Sequence, residues 1–183
     1  LFSQISSSSV EVDNRFKNCN AVEAARTLAA SLELGEQLLC FVASPQEAME
    51  CAHHYAQLEG LHGASALHED QDCASQLKVV SNAQIVFATR IAESSLTFPK
   101  LRVVVDCGME ELKHFDSDRG ITVARTSAVS QASVALRKGR LGRTIHTGFD
   151  SNRLLRYCPL YSSDSLVDSA RVPAFNRAQL LEE

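Results

Sequence analysis

The stretch Leu38-Leu-Cys-Phe-Val-Ala43, followed without a break by Ser44-Pro45-Gln46-Glu47, decides the fold. The apolar run has the length of a strand and lacks the alternation of a half-exposed one, as expected of a parallel strand covered on both faces. Serine at a cap, proline at the first helical position and glutamate three residues after the serine then mark a helix start. Met49, Ala52, Tyr55, Ala56 and Leu58 recur at helical spacing up to Gly60. A strand feeding directly into a capped helix is half of a βαβ unit.

The same alternation extends outward. Upstream, Asn20 and Glu23 read as the cap and its answer for a helix over Ala21 to Leu32 that Gly35 stops. The residues before it, with Ser6 to Ser9 in a row, read as a loop or an irregular strand. Downstream, Leu61-His62-Gly63 opens an irregular passage, and a weak helix is expected from Asp70 to Leu77. The Ala83–Ala88 and Leu101–Asp106 runs, rich in Val and Ile, are the next strands. From Met109 to Thr126 the chain turns polar and alternating, with Asp116-Ser-Asp-Arg-Gly120 as a turn, which predicts an antiparallel hairpin. Ser130 caps a last helix that ends near Lys138. The segment from Asp150 on, with Pro159, Pro173 and several serines, reads as the beginning of another unit. The expected architecture is α/β, a doubly wound and mostly parallel sheet with an inserted β-hairpin, over residues 1–150, with an extension over 151–183.

Composition sets the outer bounds. A chain of 183 residues with 45% hydrophobic content suits one compact domain with a real core. No apolar run approaches the roughly 20 residues of a transmembrane helix. Cys19, Cys40, Cys51, Cys73, Cys107 and Cys158 form no Cys-x-x-Cys pair, a pattern of reduced, buried thiols in an intracellular protein of cytoplasm or nucleus. His53 and His54 are adjacent and cannot share one helix face, so no residue is assigned to a metal. A chain that opens on Leu1 rather than methionine is expected to be a fragment. A net charge of −4 does not announce a nucleic-acid binder, yet Arg137, Lys138, Arg140, Arg143, Arg153 and Arg156 cluster against Asp150 alone.

Two stretches carry the chemistry. In Arg137-Lys-Gly-Arg140-Leu-Gly-Arg143, arginines three apart fall on one side of a turn, and the glycines let a ligand approach the backbone. Planar guanidinium groups bind phosphate oxygens in pairs, so the run suits a polyphosphate; a solvated basic helix end is the bland alternative. Residues Ala88-Thr-Arg-Ile-Ala-Glu-Ser-Ser-Leu-Thr-Phe-Pro99 follow a strand directly, where ligands of open α/β sheets bind. Spacing alone equally allows a polar loop whose hydroxyls cap a short helix.

These residues carry a family resemblance. Ala88-Thr-Arg-Ile-Ala-Glu-Ser-Ser-Leu-Thr97 resembles motif V of the DEAH-box superfamily 2 RNA helicases, and Val103-Val-Val-Asp-Cys-Gly108 the segment that follows it. Ser130-Gln-Ala-Ser133 and Arg137-Lys-Gly-Arg-Leu-Gly-Arg143-Thr resemble motif VI, Leu38–Ala43 is similar to motif IV, and Val172-Pro-Ala-Phe-Asn-Arg177 to the start of the family's winged-helix region. Motifs V and VI, in order, are specific.

The resemblance implies the second, C-terminal RecA-like domain, of P-loop-NTPase type. ATP and Mg²⁺ would be bound in the full-length protein, with an upstream first RecA-like domain supplying the phosphate loop and acidic motif that this chain lacks. Arg140 and Arg143 would be arginine fingers on the β- and γ-phosphates, with Arg137 and Thr97 also at the nucleotide. Thr89, Arg90 and Gly63 would lie along an RNA (or DNA) backbone, and Ser95 and Thr97 would couple nucleotide state to grip. Leu136 stands where the family has a glutamine that positions water, and Pro99 where many members have an aspartate near the ribose. The resemblance thus leaves an ATP-dependent helicase beside a degenerate module that binds nucleic acid or protein without turnover.

Overall fold

The apolar runs become the centre of a parallel sheet. The computed structural model describes residues 10–59, 63–94, 96–117, 119–143 and 154–162. In chain order the strands and α-helices are β1 (Val10–Val12), α1 (Ala21–Ala29), β2 (Gln37–Phe41), α2 (Pro45–Glu59), β3 (Ala64–Leu67), α3 (Cys73–Asn82), β4 (Ile85–Ala88), β5 (Leu101–Asp106), β6 (Met109–Asp116), β7 (Ile121–Ala128), α4 (Gln131–Lys138) and β8 (Leu155–Pro159). Six strands pair in the order β1-β8-β5-β2-β4-β3, every pair parallel. The β2, β4 and β5 strands are buried at every position, which is why they carry no alternation.

Strand periodicity then divides the core into two layers. Leu38, Cys40, Val42, Phe87 and Val105 point to α1 and α2, while Leu39, Phe41, Val86 and Val104 point to Val80 of α3, Leu96, Phe98 and Leu141. Buried Gln37 ties the start of β2 to the end of α3 and to the start of β5: its Nε2 donates to the Val80 and Ala83 carbonyls at 2.7 and 3.0 Å, and its Oε1 accepts from the Lys100 amide.

The helix starts follow their caps. Asn20 Oδ1 accepts from the Glu23 amide at 2.8 Å, and Ser130 Oγ from the Ser133 amide at 3.2 Å. At α2, Ser44 Oγ accepts from the Glu47 amide at 3.2 Å, while the Glu47 carboxylate reaches back to the Ala43 amide at 2.8 Å. The hairpin forms as β6 and β7, antiparallel, with Met109 opposite Ala128 and Asp116 opposite Ile121.

Several elements differ from the sequence reading. The α1 helix stops at Ala29, short of Gly35, because Ser31 turns both its amide and its hydroxyl onto the Leu28 carbonyl. The α3 helix starts at Cys73 rather than Asp70, since it is Asp72 whose carboxylate caps the Ser75 amide at 2.9 Å. The passage after Gly63 is an edge strand, β3, built of small residues that leave little pattern. The sheet also continues past residue 150, where an extension was expected: β8 lies inside it, between β1 and β5. Arg156 interrupts its apolar run, and Pro159 is tolerated as its last residue. The thiol reading needs one amendment, for Cys73 is exposed while Cys40 and Cys158 are buried. The winged-helix segment 172–177 lies outside the described residues.

Gly108, between β5 and β6, has φ +72°, and a Cβ there would fall 2.3 Å from the Tyr161 ring. Gly108→Ala is therefore expected to lower unfolding free energy by about 2–4 kcal/mol, from the strained φ and the overlap together. Urea denaturation checks this, and an unchanged midpoint contradicts the packing described.

Candidate nucleotide and nucleic-acid site

The chain crosses from β4 on one side of β2 to β5 on the other, and the crevice at the carboxyl ends of these strands is where open α/β sheets bind ligands. Three segments converge there. After β4 come Thr89 and a 3₁₀ turn, Arg90–Glu93. After β5 comes the hairpin, and after α4 a second 3₁₀ turn, Gly139–Arg143.

Arg137 joins them. Its side chain is 0% exposed, its Nε donates to Glu93 Oε1 and its Nη1 to Asp106 Oδ1, each at 2.7 Å. The guanidinium also reaches the Met109 carbonyl at the base of the hairpin and lies 4.7 Å above the centre of the Phe41 ring. Burial works against the charged form, but attraction to Asp106 and the Glu93 hydrogen bond outweigh it, and the pKa of Arg137 is raised.

Asp106 is the second hub. Its Oδ1 also accepts from the Gly108 amide at 2.9 Å, and its Oδ2 from the Tyr157 hydroxyl at 2.6 Å. Tyr157 and Tyr161 hydroxyls are 2.9 Å apart. Burial and the Asp106 charge push both phenols up, Tyr161 to about 12, so both remain hydroxyl donors at neutral pH. Burial likewise pushes the Cys107 thiol up to about 12, which keeps it protonated.

The other residues singled out above are placed differently. Arg140 is 2% exposed and donates through Nη1 to the Leu96 carbonyl at 2.6 Å, binding the basic turn to the segment after β4. Arg143 ends that turn. Thr89 is 2% exposed, its hydroxyl donating to Glu69 Oε2 at 2.7 Å. Arg90 is 53% exposed and lies 3.6 Å from Glu110 of β6. Gly63 precedes β3, and its carbonyl accepts from the Ile85 amide. Thr97 and Pro99 are exposed, on either side of the buried Phe98. Ser95 lies outside the described residues. Leu136 is 48% exposed on α4, away from the buried side that Arg137 occupies. The structure thus brings 89–98 and 137–143 together, but Arg137 is spent inside the domain rather than offered to a nucleotide.

The glycine-containing turn and Arg140 lie at this crevice. Among the described residues no group of three or more His, Cys, Asp or Glu is placed to hold a metal ion. Sequence reasoning passed over Glu69, Glu93, Asp106, Phe41 and Tyr157. Glu93 and Asp106 stood inside the quoted motifs, but nothing local to Tyr157 or Glu69 marked them.

Comparison with known proteins matches residues 20–145 to the helicase conserved C-terminal domain family. The chain belongs to that family. This helicase domain is 45% identical over 83 residues to the ATP-dependent RNA helicase HrpB of Escherichia coli (strain K12), a match covering 45% of this chain and 10% of that protein. It is 30% identical over 117 residues to the ATP-dependent RNA helicase DHX33 of Drosophila melanogaster, covering 64% of this chain and 12% of that one. Among solved structures, the E. coli DExH-box NTPase HrpB aligns with a TM-score of 0.60 and 26% identity, over 85% of this chain and 20% of that one. The sequence matches span about a tenth of the length of these two helicases, and the structural match a fifth of HrpB. The helicase domain has the RecA-like α/β fold, with its parallel sheet and added hairpin. No helix among its described residues is long and apolar enough to cross a membrane.

Removing the Tyr157 hydroxyl tests the Asp106 hub. Tyr157→Phe strips one donor from a carboxylate that is 0% exposed, and is expected to destabilise the helicase domain by about 1–3 kcal/mol in chemical denaturation. A variant as stable as the parent would mean that the phenol contributes nothing there.

Proposed function

We propose that this chain is the C-terminal RecA-like half of an ATP-dependent RNA helicase and works against a first RecA-like domain upstream, with a winged-helix region downstream. The single observation that carries this reading is the joining of 89–98 to 137–143, through Arg137–Glu93 and Arg140–Leu96, at the carboxyl ends of the strands. A nucleic-acid strand gripped by the first segment then feels the nucleotide sensed by the second.

The chemistry is hydrolysis of the terminal phosphoanhydride of ATP, with Mg²⁺ held by the upstream domain. Arg140 and Arg143 stabilise the negative charge that develops on the transferred phosphoryl group, as guanidinium groups do in related reactions. Arg140 reaches a phosphate by sharing or exchanging its bond to the Leu96 carbonyl, which makes that exchange the coupling event. Arg137 stays internal and holds the turn in place. Thr89, Arg90 and Gly63 face the sugar-phosphate backbone, and Ser95 and Thr97 relay the state of the cleft.

A second reading is favoured by one observation. Leu136 presents an exposed apolar side chain at the place where the resembled motif has a water-positioning glutamine. A module that binds RNA or protein without turnover would carry such a change without loss.

One set of assays on the complete protein separates the two. RNA-stimulated ATP hydrolysis is expected in the parent, and Arg143→Ala should reduce it by about 10³-fold or more with the unfolding midpoint unchanged. Leu136→Gln should raise turnover if that position limits it. Equal rates for Arg143→Ala and parent remove the finger assignment, and RNA binding without any hydrolysis in the parent favours the module.

A further inference from the structure

Two of the residues read as nucleic-acid contacts are already met by carboxylates from other elements. The Thr89 hydroxyl donates to Glu69 Oε2 at 2.7 Å, although Glu69 lies twenty residues earlier, in the exposed loop between β3 and α3. The Arg90 guanidinium lies 3.6 Å from the Glu110 carboxylate of β6. Neither contact is a cap, a turn or a neighbour on one helix, so neither follows from local sequence. Asp70, beside Glu69, adds a further exposed negative charge, 3.9 Å from Lys113 of the hairpin. The edge on which a nucleic-acid backbone docks in the proposed function is therefore ringed by acids that engage its own binding groups.

We infer that Glu69 and Glu110 are latches that compete with nucleic-acid phosphates for Thr89 and Arg90; this rests on the RNA-helicase reading above. A phosphate arriving at this edge displaces one carboxylate from each partner and meets repulsion from both until it does so. The two latches differ in strength. An ion pair as open as Arg90–Glu110 holds no more than a factor of about five in affinity. A hydroxyl bonded to a carboxylate is charge-assisted, and releasing it is worth about tenfold or more. The latches set a threshold: a strand is held only when several contacts form together, while a stray phosphate does not open the edge. Because Arg90 is neutralised in the resting domain, it is withheld from the count of charges that respond to salt.

The test uses the complete protein and a fluorescein-labelled single-stranded oligouridine, with affinity read by anisotropy between about 50 and about 200 mM KCl. Glu69→Ala is expected to bind about tenfold more tightly than the parent. Glu110→Gln is expected to gain about three- to fivefold at the lowest salt and to steepen the plot of log affinity against log salt by about 0.7, one added phosphate contact. The gain from Glu110→Gln should vanish when Arg90→Ala is already present, since the two residues act as a pair. If both glutamate variants bind within about twofold of the parent, or if Glu110→Gln gains equally without Arg90, the latch is overturned while the RNA reading stands. If neither parent nor variants bind the oligonucleotide at low salt, the RNA reading fails and the latch fails with it.

Discussion

A guanidinium with no exposure to water has to find negative charge inside the protein, and Arg137 finds it on two elements at once. Taking an ion out of water costs several kcal/mol even after relaxation, and only close, well-aligned partners offset it. Glu93 belongs to the turn after β4 and Asp106 to the end of β5, so the requirement to neutralise one side chain fixes the relative positions of α4, the β4 turn and the base of the hairpin. Asp106 in turn orders the Gly108 bend and Tyr157 of β8. The placement of the segments around the crevice hangs from this pair of contacts.

That constraint explains why the arginines of one short run have separate fates. Arg137 faces the core from the last turn of α4 and is consumed by the scaffold. Arg140, within the 3₁₀ turn that follows, is nearly buried and donates through Nη1 to the Leu96 carbonyl, which ties the basic turn to the segment after β4. The two arginines thus join the same two segments by different contacts, Arg137 through the Glu93 carboxylate and Arg140 through the Leu96 carbonyl.

The fold was legible where it is local. Uniform apolar runs gave the central strands β2, β4 and β5, and side-chain caps at Asn20, Ser44 and Ser130 gave three helix starts to the residue. The strands β3 and β8 were not legible, and β1 was legible only as a loop or an irregular strand, because their patterns are short, made of small residues or interrupted. The site was half legible. Residue type and order pointed to both segments, but arginines spaced by three look alike in sequence. Only the tertiary placement of Glu93 and Asp106 separates the buried one from its neighbours. Glu69 meeting Thr89 across the β3–β4 edge is likewise a product of the sheet order rather than of any motif.

The most direct measurement is a double-mutant cycle between Arg137→Met and Asp106→Asn in the unfolding free energy of this chain. Each single change leaves a buried charge without its partner and is expected to cost about 3–5 kcal/mol. If the pair organises the crevice as described, the double variant is less destabilised than the sum of the two by about 2 kcal/mol or more. Additivity within about 0.5 kcal/mol would contradict the account, for the two groups would then not be acting on each other at all.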